Sequence, residues 1–336
     1  MDSAFLTGGT GFVGASLARL LLKQGLKVKA LARKGSDRRN LDGLSVEIVE
    51  GGLTDKAAIE AGVKGCRYAF HVAADYRIWI PNPDDMYAAN VAGTETILRA
   101  AAKAGAERIV HCSSVAAVKV PDDHEPVDET SEYASLDVIV GHYKKSKFLA
   151  DVLARKLAKD EGLPVVVVNP AAPIGPYDIK PTPTGKMVVD FLNGRIPSYI
   201  DTGLNIVHVE DVALGHWLAA QKGRIGERYI LGGENLTLKQ VLDMLAEVTG
   251  LPGPKFKTLY AIAYAFGAVD TAIATLRGTV PLAPLDAIKM AKHYMWFSSE
   301  KAKKCLGFSP RPARQALKDA ADWYRANGYA RSTAAA

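Results

Sequence analysis

Thr7-Gly8-Gly9-Thr10-Gly11-Phe12-Val13-Gly14 follows a short apolar run, Ala4-Phe5-Leu6, and precedes residues 15–23, whose apolar side chains recur at helical spacing. Strand, glycine-rich turn and helix, in that order, are the setting in which such a run binds a dinucleotide. One glycine makes the tight turn, a second lets backbone approach a pyrophosphate, and a third lets helix and strand pack closely. The helix start then offers unpaired N–H groups and a partial positive charge to the phosphates. Here Gly8, Gly11 and Gly14 fall three residues apart, with Phe12 and Val13 at the same helix start. All five are candidate cofactor contacts.

Further strand patterns follow at 27–32, 46–49, 68–74, 108–114 and 165–169, with helical patterns between them. Asp55 is placed to cap the helix after the third strand. The fourth strand ends in small residues, including Ala73, that let backbone pass close to a cofactor; His71 within it reads as a packed core residue. A helix is expected from Asn90 to Gly105, and another from Gly141 to about Glu161. This alternation predicts an α/β protein: a Rossmann-type doubly wound parallel sheet with helices on both faces. Prolines cluster from Pro170 to Pro183. The cofactor domain is therefore placed at 1–170, with some later segments returning to it. Residues 171–330 are assigned mainly to a smaller mixed substrate domain. An amphipathic helix over 238–248 and a polar-faced one over 314–326 belong to that part, and the alanine tail after 333 is expected to fray.

Composition narrows the function. The 336 residues carry a net charge of +6, a mild excess of Lys and Arg. No basic face interleaved with aromatics is present, so nucleic acid is not an expected partner; an anionic small molecule or membrane surface accounts for the charge. Cys66, Cys112 and Cys305 are scattered and read as reduced packing residues, with no pair spaced for a metal. The chain enters a strand at once, so no export leader is expected and a cytoplasmic location is. Residues 259–276 are apolar except Asp270, with Lys255, Lys257 and Arg277 at their flanks. That length and alanine content suit a pocket-covering helix better than a bilayer span, with weak membrane-surface contact as the other reading.

Chemistry enters at two places. Arg33 ends the second strand, about twenty residues past the last glycine, where an acidic residue would hold the ribose hydroxyl of NAD. A guanidinium there, with Lys34 and Arg38 close by, suits a 2′-phosphate, so NADP is favoured over NAD. Tyr143 and Lys147 stand one helical turn apart, and Ser114 ends the fifth strand at the carboxyl edge where ligands sit in open parallel sheets. A phenol with a pKa of about 10 is a poor acid or base near neutrality. A lysine and a cationic nicotinamide beside it pull that value toward working pH. Ser114, Tyr143 and Lys147 are thus the candidate catalytic set, for hydride transfer at a carbinol or carbonyl.

With these residues in place, the chain resembles the extended short-chain dehydrogenase/reductase superfamily, also called NAD-dependent epimerases/dehydratases, over nearly its whole length. The matching pieces are TGGTGFVG (7–14), NVAGT (90–94), CSS (112–114), YKKSK (143–147), IGP (174–176) and VHVEDVA (207–213). Within the superfamily, NPAAPIGPYDIKPTPTG (169–185) and ARKGSDRRNL (32–41) are similar to hopanoid-associated sugar epimerases. The resemblance implies a bound nicotinamide cofactor, a C-terminal substrate domain and a homodimer. It implies that Asn90 supports the cofactor cleft and that Asn169 and Pro170 face the nicotinamide.

Two departures carry information. Gly52 stands where much of the family has an Asp that holds the adenine, so backbone groups are expected to take that role, with Leu53 against the ring. Nucleotide-sugar members carry an Arg-Asp pair just before the stretch matching 206–209, and that Arg grips the substrate phosphates; this chain has Leu204-Asn205. A desolvated pyrophosphate needs a charged partner. The expected substrate is therefore a small, sugar-like, polyol or lipid-linked carbinol or carbonyl. The alternatives are an NADPH-dependent ketone or aldehyde reductase with features of dihydroflavonol reductases, and a non-catalytic NADPH sensor.

Overall fold

The computed structural model describes residues 2–330 apart from 78, 81 and 122, so the alanine tail lies outside the described residues. The chain begins with β1 (Ser3–Thr7), α1 (Phe12–Lys23), β2 (Lys27–Ala32), β3 (Val46–Glu50), α2 (Lys56–Val63) and β4 (Tyr68–His71). It continues through α3 (Asp84–Tyr87), a π-helical turn (Ala88–Ala92), α4 (Gly93–Lys103), β5 (Arg108–Cys112), α5 (His142–Glu161) and β6 (Val165–Pro170). Then come β7 (Ala172–Ile174), α6 (Pro183–Leu192), β8 (Ser198–Tyr199), β9 (Gly203–His208), α7 (Val209–Lys222), β10 (Arg228–Leu231), β11 (Glu234–Thr237) and α8 (Leu238–Thr249). The last elements are β12 (Phe256–Lys257), α9 (Tyr260–Arg277), α10 (Leu285–Met290), β13 (Tyr294–Met295), α11 (Glu300–Leu306) and α12 (Ala313–Ala326).

Among the described residues, a seven-stranded sheet runs in the order β10-β6-β5-β4-β1-β2-β3, every pairing parallel. Near-continuous apolar strands such as Val165-Val166-Val167-Val168 suit this doubly covered position. One face packs α1 and α7 through Leu17, Leu21, Val212 and Ala219. The other packs α2, α4 and α5 through Ile59, Ile97, Leu98, Ala154 and Leu157. This is a Rossmann-like doubly wound α/β fold, and its strand order reverses between β1 and β4. A second sheet is built on β9, with β11 antiparallel on one side and β7 and β13 parallel to successive parts of it. α6, α8 and α12 close a separate core over it, with Ile206, Leu245 and Leu317 inside.

The structure revises several sequence boundaries. β4 stops at His71, because the amides of Val72 and Ala73 turn aside to the Thr7 hydroxyl (3.2 and 3.1 Å). β5 stops at Cys112, and Ser114 instead caps a short 3-10 turn by accepting from the Ala116 amide at 3.1 Å. The helix expected from Asn90 begins earlier, at Asp84, and widens into the π turn that carries Asn90. Asp55 caps α2 as expected, accepting from Ala58 at 3.1 Å. Cys66 and Cys112 are buried, whereas Cys305 is exposed on α11 and is not a packing residue.

Candidate active site

The glycine turn joins β1 to α1 beside the point where strand order reverses, the place where open α/β sheets hold ligands. Gly8 has a positive φ of 77°, and a Cβ there would meet the Ala73 nitrogen at 2.6 Å. A Cβ on Gly14 would meet the Gly8 carbonyl oxygen at 2.0 Å. Both glycines are thus required by the chain's own packing. Gly11 differs: it is exposed, and the protein atom nearest its would-be Cβ is the Gly8 oxygen at 3.3 Å. It is also the N-cap of α1, with no side-chain cap, so the first amides of the helix are left for a ligand or water. Phe12 and Val13 point their side chains into the core and leave those amides outward. This arrangement fits a dinucleotide pyrophosphate.

A hydrogen-bonded chain fixes the far wall of the cleft. Thr7 Oγ1 already accepts from Val72 and Ala73, so its proton goes to His71 Nδ1 at 2.8 Å. His71 Nε2 then donates to Thr94 Oγ1 at 2.9 Å, and Thr94 donates to the Asn90 carbonyl at 2.6 Å. The network assigns His71 as the neutral Nε2–H tautomer, in accord with burial holding its pKa down at about 3. Asn90, 3 % exposed, receives the Asp75 amide at 2.7 Å and donates to the Asp75 carbonyl and the Ser146 hydroxyl at 2.8 and 3.0 Å. The sequence reading found Asn90 but missed Thr7, Thr94 and Ser146. Their hydroxyls match partners far away in the chain, and no local spacing reveals that.

Gly141, at φ 81°, starts α5, and Gly162 ends it in the left-handed conformation. The buried face of α5 reads Ser146, Lys147, Ala150, Asp151, Ala154, Leu157 and Ala158, so this stripe carries Lys147 into the interior. Lys147 Nζ donates to the Cys112 carbonyl at 2.8 Å. Tyr143, one turn earlier, is partly buried. Burial pushes its hydroxyl above the ordinary tyrosine value, and a hydrogen bond with the Ser114 side chain pulls the other way. Burial likewise lowers the Lys147 ammonium. The structure therefore gathers Ser114, Tyr143 and Lys147 at the carboxyl edge of β5. Within the chain the downward pull on the phenol comes from Ser114 rather than from Lys147.

Asn169, wholly buried near the end of β6, donates through Nδ2 to the Ser114 carbonyl and to Asp151, both at 2.9 Å. Its Oδ1 has no protein partner among the described residues, an acceptor suited to a ligand amide beside Pro170. Arg33 and Lys34 are exposed just past the end of β2, and Arg38 is paired with Glu50 at 2.6 Å. Leu53 is partly buried against Gly93. Leu204 packs on the core of the second lobe, and Asn205 ties β9 to Asn235 (2.6 Å) and to the Phe297 carbonyl (3.2 Å). Neither side chain offers a cation to a phosphate. An apolar cleft of about 540 Å³, lined by Tyr199, Leu238, Ile262 and Phe266, lies beneath α9 and does not include Ser114, Tyr143 or Lys147.

A doubly wound sheet with an uncapped helix start at its switch point and a buried lysine one turn from a tyrosine defines the class of nicotinamide-dependent oxidoreductases of the extended short-chain type. The sequence profile of the NAD dependent epimerase/dehydratase family matches residues 4–232, and the chain belongs to that family. It is 42 % identical over 335 residues to a Synechocystis sp. protein provisionally named dihydroflavonol 4-reductase, covering 98 % of this chain and 97 % of that one. Sterol demethylase protein B of Methylococcus capsulatus is 32 % identical over 338 residues, covering 97 % and 99 %. Among solved structures, that of gox2253 superposes with a TM-score of 0.88 at 44 % identity, covering 98 % of this chain and all of that one. The chain is thus an enzyme of the extended short-chain dehydrogenase superfamily.

Proposed function

We propose that the chain transfers hydride reversibly at a secondary carbinol or carbonyl, with Ser114, Tyr143 and Lys147 as its acid–base set. The observation that carries this reading is the placement of a partly buried Tyr143 against Ser114, with Lys147 buried one turn on. Bound at the start of α1, the nicotinamide cofactor supplies the hydride donor or acceptor. Ser114 hydrogen-bonds the substrate oxygen and orients it. Tyr143 gives that oxygen a proton on reduction and takes it on oxidation. Lys147, held by the Cys112 carbonyl, favours the phenolate once the cofactor's charge is beside it. Gly8, Gly11, Gly14, Phe12 and Val13 serve the pyrophosphate, and Leu53, Ala73, Asn90 and Pro170 line the rest of the cofactor cleft. In this reading 1–170, with later segments such as α7 and β10 returning to them, form the cofactor domain, 171–330 are mainly the substrate domain, and the working unit is a homodimer.

Arg33 supports NADP over NAD. Leu204 favours net reduction of a ketone, or oxidation and reduction on a small or lipid-linked carbinol, over epimerisation of a nucleotide sugar. An epimerase must hold its ketone intermediate while the other face is presented, and a nucleotide-sugar epimerase gains that hold from phosphate contacts. The names of the Synechocystis and Methylococcus relatives lean the same way. The test is an account of cofactor. Purified protein should exchange NADPH freely and consume it in proportion to a ketone. Tightly held oxidised cofactor, together with epimers formed from UDP-, GDP- or dTDP-sugars, would overturn the reductase reading in favour of the epimerase.

A further inference from the structure

Only Gly267 and Ala274 of the 18 residues of α9 are buried. Its exposed apolar side chains are Leu259, Ile262, Phe266, Val269, Ile273 and Leu276, recurring at alternating steps of three and four, with Ile262 and Phe266 at the edge of the cleft beneath the helix. Val269 is 60 % exposed and Leu276 88 %, and Val280 and Leu282 extend the patch beyond the helix. Exposed Ala261, Ala265 and Ala272 widen it on one flank. From Tyr260 to Leu276 no exposed side chain of this helix is charged. An apolar surface of this extent marks an interaction site rather than scattered surface residues.

The charges at its edges decide between two occupants. Lys255 and Lys257 precede the helix and Arg277 ends it, all exposed. The acids nearby are engaged: Asp201 with Lys257 at 2.7 Å, Asp270 with the Ala283 amide at 2.8 Å, and Asp286 with Lys289 at 3.8 Å. A second copy laid parallel on this face would set Lys255 beside Lys255. Laid antiparallel, it would set the Lys255 end beside Arg277. Both arrangements oppose like charges at the rim of an apolar seam. An anionic bilayer surface reverses the sign, because its headgroups meet the cations while the apolar side chains enter the acyl boundary. No helix among the described residues is long and apolar enough to cross a membrane, so α9 would lie on the surface rather than span it.

We propose that the outer face of α9, continued by Val280 and Leu282, seats the protein on an anionic phospholipid surface. The surface rests on no reading of the active site. Flotation of the full chain with phosphatidylcholine vesicles, and with phosphatidylcholine–phosphatidylglycerol vesicles, tests it. Binding is expected to the second and not the first, and to weaken as salt is raised. Val269→Asp with Leu276→Asp, both at exposed positions, should cut binding at least about tenfold while thermal unfolding stays as in wild type. Lys255→Glu with Arg277→Glu should cut it roughly tenfold through charge alone. Failure of the wild type to float with either vesicle would overturn the proposal. So would undiminished binding in the Val269/Leu276 variant. Light scattering that shows this variant splitting a dimer, with no vesicle binding by wild type, would assign the face to a second copy instead.

Discussion

In the proposed function, cofactor choice turns on Arg33. It sits exposed at the end of β2, next to Lys34, while Arg38 is already paired with Glu50. One charge-assisted phosphate contact is worth about 1.5–3 kcal/mol, roughly ten- to a hundredfold in affinity. Titration calorimetry should therefore give tighter binding of NADPH than NADH in wild type, and Arg33→Ala should erase the difference while leaving NADH unchanged. Equal affinity in wild type would sink the NADP assignment. The glycines show a second lesson at this scale. The sequence motif gives each glycine its own part, and the packing agrees, since Gly8 and Gly14 are demanded by the fold and Gly11 is exposed.

Among elements, α5 carries the proposed acid–base pair and is clamped by charge. Asp151, fully buried on its inner face, meets Arg155 at 2.9 Å and the buried Arg228 of β10 at 3.4 Å. Arg228 also donates to the Glu129 carbonyl at 2.6 Å, and Asn169 donates to Asp151 at 2.9 Å. The network thus joins α5, β6, β10 and the loop before α5 behind Ser114. Removing one member of a buried pair leaves the other uncompensated and costs about 3–5 kcal/mol. Asp151→Ala should lose stability in urea unfolding by up to that scale, since Glu132 still faces Arg155 and Arg228 at 2.9 and 3.4 Å; a loss under about 1 kcal/mol would show that water or Glu132 replaces the carboxylate. No local pattern announces this clamp, because Asp151 and Arg228 stand 77 positions apart. The Tyr143/Lys147 spacing, by contrast, is legible because helix geometry converts four residues into one face.

Across the whole molecule four histidines are buried; His208 faces Asp319, while His71, His111 and His216 are held neutral by burial. Burial holds His71 at about 3 and His216 at about 4, and places His111 well below its ordinary value. Unfolded, each titrates near 6.5. Between that value and the folded ones the unfolded chain binds more protons, so stability rises with pH there and falls on acidification. The loss is about 1.4 kcal/mol per pH unit for each histidine. Denaturant unfolding at pH 7 and 5 should show a fall, and His111→Phe should reduce the slope. Its ring nitrogens have no hydrogen-bond partner among the described residues, so that change should cost little at pH 7. Equal stability at pH 7 and 5 would contradict the account. At this scale the sequence conveyed the parallel sheet, because strand and helix periods alternate and β-α-β crossovers leave few topologies. It did not convey the apolar face of α9. The stretch 259–276 reads as apolar all round, and only packing decides which side is left to solvent.

In the proposed mechanism Tyr143 moves the proton at the reacting oxygen. Tyr143→Phe keeps the ring and the helix and removes only the hydroxyl. With NADPH and a ketone that wild type reduces, the variant should bind cofactor as wild type does, while turnover falls about 10²–10⁴-fold, the usual worth of general acid–base help. Turnover within a few-fold of wild type, with cofactor binding intact, would contradict it.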